Sequence, residues 1–157
     1  MIKNINHTPD EYNFLNKGDK IPDFIWKDET GRSFASEILR GKSTLIVLFT
    51  TECSHCRDNF AYLEKNLFQK NLSFLNILAI GRGCDFNQLE WYSRKYVLSI
   101  KLIADPDRLI YSGFAEKVVP RNYLFDPAGE LLQSVRGYRP DEIDNMIRII
   151  SLTGTNK

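Results

Sequence analysis

The stretch "TLIVLFTTECSHCRDNF", Thr44 to Phe60, sets two cysteines three positions apart where an apolar run gives way to a helix-like segment. From Thr44 to Phe49 the run is β-branched and apolar without alternation, as expected of a strand buried on both faces in an α/β sheet. Beyond Cys53 the period changes: Cys56, Phe60, Leu63 and Leu67 recur at spacings of four, three and four, which predicts an amphipathic helix until about Asn71. Cys53 then falls where a helix begins, beside unpaired N–H groups and the positive end of the macrodipole, a setting that favours an anion such as a thiolate. A stabilised thiolate is a competent nucleophile near neutral pH. Cys56, one turn later, is expected to be buried by helix packing, able to close a disulfide with Cys53 but poorly placed to attack an outside substrate. An exposed attacker beside a resolving thiol is what thiol-disulfide exchange needs, and the position after a buried strand strengthens what the spacing alone suggests.

Two neighbours are expected to tune the ionisation of Cys53. The ring of His55 stabilises the thiolate if it turns toward it, and is otherwise a solvated loop histidine. The carboxylate of Glu52 opposes the thiolate if it points inward and matters little if it points into water.

Outward from this centre the rest of the chain reads as one α/β unit. "IPDFIWKDETGRSFASEIL" predicts an extended pair around the turn Asp28 to Gly31 and a short helix near Ser36 to Leu39. "LSFLNILAIG" predicts a second apolar strand and "FNQLEWYSRKY" a second amphipathic helix. "NYLFD" and "LLQSVRG" predict a hairpin around "PAG", followed by a closing helix from Pro140 with Ile143, Met146, Ile147 and Ile150 on one face and Gly154 as its stop. The expected fold class is α/β, a mixed central sheet with helices on both faces, formed by residues 17–157 as a single domain after an arm over residues 1–16.

Composition narrows the function. A chain of 157 residues buries a sufficient core without covalent staples, and three cysteines, an odd number, do not form a disulfide framework. With 21 Lys+Arg against 20 Asp+Glu, and no basic block, neither nucleic acid nor an anionic membrane is expected as the main partner. A competing reading of the pair is half of a zinc site with His55 as third ligand. Tetrahedral zinc needs more ligands than the remaining His7 and Cys84 offer, so no metal or other cofactor is expected. The longest apolar run is too short to cross a bilayer, and residues 1–16 lack the apolar core of a signal peptide. That absence fits either a cytoplasmic protein or a chain whose export signal is not part of this sequence.

"GDKIPDF", the strand before "CSHC", the segment "VVPRNYLFDPAGELLQSVRGY" and the closing helix together resemble the thioredoxin-like thiol-disulfide oxidoreductases of the TlpA/ResA type, from about Gly18 to Ile150. The resemblance implies a thioredoxin-like fold, a cis bond between Val119 and Pro120 opposite the cysteines, and a Val119 backbone that pairs with bound peptide. It also implies protein disulfides or dithiols as substrates, a membrane-bound electron donor, and a place in the bacterial cell envelope or periplasm. A monomer is expected. The chain departs from that pattern at four places. Glu52 replaces a tryptophan, and the proline that commonly kinks the active-site helix is missing from "RDNFAYLE", so a straighter helix is expected. Arg121 follows Pro120 where threonine is frequent, favouring an acidic partner or lying exposed. Cys84 sits at or beside the position of an acidic residue, as a third thiol near the pair or as a small hydrophobe packed under its loop.

The leading function is therefore a dithiol oxidoreductase with Cys53 as nucleophile and Cys56 as resolver, more a reductase than an oxidant, although His55 pulls toward the oxidising side. A thiol peroxidase is a second reading, since "TTEC" supplies Thr50-x-x-Cys53, but position 46 is isoleucine where that motif has proline. A third is a thioredoxin-fold binding module whose thiols are incidental.

Overall fold

The structure, a computed structural model, describes residues 10–155. A hairpin of β1 (Ile25–Lys27) and β2 (Ser33–Ala35) closes around Asp28, whose carboxylate accepts from the N–H groups of Thr30 and Arg32 while Gly31 takes φ +88°. A 3-10 turn at Ser36–Leu39 follows as the sequence predicts. The chain then enters β3 (Ser43–Phe49), every residue of which is buried. α1 (Ser54–Leu63) leads to β4 (Leu75–Arg82), α2 (Phe86–Tyr96) to β5 (Leu102–Asp105), and β6 (Arg121–Phe125), β7 (Leu131–Arg136) and α3 (Pro140–Thr155) complete the order. The main sheet runs β5-β4-β3-β6-β7, with β3, β4 and β5 parallel and β6 and β7 antiparallel. β3 is its centre, which is why that strand shows no polar alternation.

Helices cover both faces, unequally. Leu45, Val47 and Phe49 point into a core shared with α1, α2 and α3 through Phe60, Leu63, Leu89, Tyr92, Ile143 and Met146. Ile46 and Leu48 point the other way, where Leu39, Tyr111, Phe114, Tyr123 and the hairpin's Phe24 and Trp26 form a second core under 3-10 turns at 36–39 and 111–113. Period-2 alternation along β3 thus divides its side chains between two apolar layers.

Two expectations are corrected and one strand is added. Gly154 does not stop α3, which runs to Thr155; a Cβ there would lie 2.6 Å from Cζ of Phe74, so glycine serves the close approach of that ring. The active-site helix does not simply run straight to Asn71: after Leu63 it widens into a π-helical turn at Glu64–Phe68, which keeps Leu67 buried. β5 has no clear sequence signature, because it is a four-residue edge strand cut off by Pro106.

His7 and the first part of the expected arm lie outside the described residues. From Asp10 the chain forms a strap: Phe14 donates its N–H to the carbonyl of Phe114 at 2.9 Å, Glu116 donates to that of Tyr12 at 2.8 Å, and the Tyr123 hydroxyl donates to Asn13 at 2.9 Å. This strap crosses residues 114–117, which lead into the loop before β6.

Candidate functional site

β3 ends at Phe49, and a three-residue turn delivers Cys53 as the N-cap of α1, with extended backbone at φ −114° and ψ 115°. Its sulfur occupies the place a capping oxygen usually takes and accepts the backbone N–H of Cys56 at 3.1 Å. Both thiols are free. Cys53 is partly exposed and Cys56 fully buried, the difference in burial that the spacing predicts. Burial pushes the Cys56 thiol well above the ordinary range, and its hydrogen bond with Cys53 pushes it further, so Cys56 holds its proton at neutral pH.

Opposite the pair, the Val119–Pro120 bond is cis, and the carbonyl of Val119 stands 3.9 Å from the sulfur of Cys53. The structure therefore brings together Cys53, Cys56, Val119 and Pro120. It places the tuning candidates outward. His55 is 75% exposed, its Nδ1 4.0 Å from the exposed carboxylate of Asp58, and Glu52 faces solvent.

Arg121 overturns its expectation. It is neither exposed nor turned toward a partner: it is 2% exposed, and its guanidinium grips the carboxylate of Asp10 at 2.6 and 3.3 Å. Its register partner in β3 is Leu48, so its side chain lies on the sheet face opposite α1, among Tyr111 and Tyr123. Asp10 is held below the usual carboxylate range: burial raises it, but the hydrogen bond and charge of Arg121 outweigh that.

Cys84 is buried in the same core as Cys56, its thiol 3.5 Å from the carbonyl of Arg82 and 3.9 Å from the Thr51 hydroxyl. Among the described residues no group of three metal-ligating side chains gathers.

Several residues of the site carried no sequence expectation. Asn59 and Asn122, both fully buried, exchange amide hydrogen bonds at 3.2 and 3.0 Å and so tie α1 to the strand that follows the cis-proline. The available signal was a polar residue on the apolar stripe of Cys56, Phe60 and Leu63. Tyr92 stacks on Phe49 at 5.5 Å beneath the pair, with its buried hydroxyl unpartnered among the described residues.

Comparison with known proteins agrees with this geometry. The AhpC/TSA family profile matches residues 17–134. Thiol-disulfide oxidoreductase ResA of Bacillus subtilis is 21% identical over 123 residues, covering 78% of this chain and 69% of that protein. A candidate protein disulfide isomerase of Bacteroides thetaiotaomicron superposes with a TM-score of 0.83 at 22% identity, over 89% of this chain and 91% of its own. A secreted disulfide oxidoreductase of Mycobacterium tuberculosis, homologous to DsbE of E. coli, superposes with a TM-score of 0.68 at 18% identity, over 80% and 95%. The thioredoxin-like fold is shared throughout, and this chain, with its dithiol at the strand-to-helix junction, belongs to the AhpC/TSA family.

Proposed function

We propose that the chain is a thiol-disulfide oxidoreductase that reduces disulfides of other proteins through Cys53 and Cys56. The observation that carries this is the asymmetry of the pair: Cys53 partly exposed at the helix N-cap, Cys56 buried with its N–H on the Cys53 sulfur. In the first step the Cys53 thiolate attacks one sulfur of the substrate disulfide. A Cys53–substrate bond forms, the substrate S–S bond breaks, and the departing thiolate takes a proton from water. In the second step Cys56 gives up its proton and attacks the Cys53 sulfur, releasing the second substrate thiol and leaving a Cys53–Cys56 disulfide. Two electrons pass from the dithiol to the substrate, and an external dithiol restores the enzyme.

The exposure of His55 supports the reductive direction. Its ring lies largely in water, 4.0 Å from the exposed carboxylate of Asp58, and an interaction so exposed to solvent is screened, which weakens its pull toward an oxidising couple. A reduction potential near about −270 mV is expected, whereas one near about −120 mV would make the protein an oxidant. Cys84 serves packing in this reading, with Val119 and Pro120 as the substrate-facing backbone. The envelope of a bacterial cell and a membrane-bound dithiol donor complete the proposal, supported by the secreted relative and the TlpA/ResA resemblance, with the chain acting as a monomer. No described helix is long and apolar enough to cross a membrane.

The test is turnover of a peptide disulfide with a dithiol donor. Cys53→Ser should abolish it and Cys84→Ser should leave it in place. Activity that survives Cys53→Ser, or peroxide consumed in preference to the disulfide, would contradict the proposal.

A further inference from the structure

The loop facing Cys53 is held from behind by a buried cation. Val118 takes φ +84°, a region that β-branched residues avoid and that persists only where the surroundings enforce it. Its carbonyl accepts the Tyr111 hydroxyl at 2.7 Å and Nε of Arg121 at 3.0 Å. The carbonyl of Lys117 accepts Nε and Nη2 of the same guanidinium at 3.2 and 2.8 Å. The far side of that guanidinium is clamped by Asp10, which also meets Arg136 at 3.4 Å. Asp10 is anchored in the strap, more than a hundred residues away in sequence.

We propose that the Asp10–Arg121 pair is a positioning device: it fixes the carbonyls of Lys117 and Val118, and through them presents the Val119 backbone to a peptide bound at Cys53. The pair touches no substrate. It acts by over-determining a backbone that would otherwise relax, and Asp10 is essential to it because a buried guanidinium stripped of its carboxylate shifts toward water and releases the carbonyls it holds. The device selects for substrates with an extended backbone over small disulfides that need only the sulfur. This inference rests on the thiol-disulfide reading above.

The test compares an extended peptide disulfide with dithiobis(nitrobenzoate), which has no backbone to pair. Asp10→Asn keeps the shape and removes the charge. It should raise KM for the peptide about tenfold, the scale of one lost pairing interaction, with a small effect on kcat and a much smaller change for dithiobis(nitrobenzoate). Asp10→Glu should recover most of the peptide KM. Arg121→Lys keeps the cation but cannot span two carbonyls and a carboxylate, so it should show the same selective loss and decides the matter if Asp10→Asn is unfolded at the assay temperature. Equal loss for both substrates, or a folded variant whose peptide KM is unmoved, would overturn the inference. If the unsubstituted chain reduces neither disulfide, the thiol-disulfide reading falls and this inference with it.

Discussion

Replacing Asn59 with alanine tests how the active-site helix is joined to the cis-proline strand. Asn59 and Asn122 are each fully buried and exchange two hydrogen bonds, at 3.2 and 3.0 Å. Each bond contributes about 1 kcal/mol net, and a buried amide left unpartnered costs about 1–3 kcal/mol. Asn59→Ala should therefore destabilise the reduced protein by about 3–5 kcal/mol, and Asn122→Ala by a similar amount. Once either amide is gone, little remains for the second substitution to break. The double variant should then lie near one single variant rather than at their sum, a coupling of about 3–5 kcal/mol, the size of one single cost. Equilibrium urea unfolding followed by tryptophan fluorescence measures this, with similar m-values licensing the comparison. Single costs below about 1 kcal/mol, or costs that simply add, would refute the claim that the two amides act as one buried unit.

Three further outcomes are expected. Val97, 81% exposed, caps α2 in the left-handed region at φ 52°, so Val97→Gly should stabilise the protein by about 1 kcal/mol, read as a rise in thermal midpoint. Alkaline stability should fall. The folded chain keeps the Cys56 proton while the unfolded chain releases it near 9.0, so the unfolded state binds fewer protons above that pH and stability drops as pH rises, a loss that Cys56→Ser removes in part. Gly154→Ala should cost about 1–3 kcal/mol, because the new methyl meets the Phe74 ring at 2.6 Å; an unchanged midpoint would show that the ring moves aside freely.

What the sequence made legible was local and periodic. The all-buried β3, the stripe Cys56, Phe60, Leu63 and the exact run of α2 from Phe86 to Tyr96 each follow from side-chain spacing alone. The capping box of Asp85 and Gln88 that starts α2 carried no sequence expectation. The cis bond at Val119–Pro120 came from resemblance, since spacing does not distinguish it from an ordinary proline opening a strand. What escaped were pairings between distant segments. Arg121 looks like a surface cation until the strap brings Asp10 to it, and Asn59 looks like an ordinary helix residue until Asn122 arrives from β6. Gly154 looks like a helix stop until the ring of Phe74, from the loop before β4, approaches it.

The central claim is that Cys53 attacks and Cys56 resolves. A Cys56→Ser protein, incubated with a peptide disulfide, should accumulate a mixed disulfide linked through Cys53 alone, located by mass spectrometry of the alkylated digest. A partner joined through Cys84, or no trapped species while the substrate is still reduced, would contradict it.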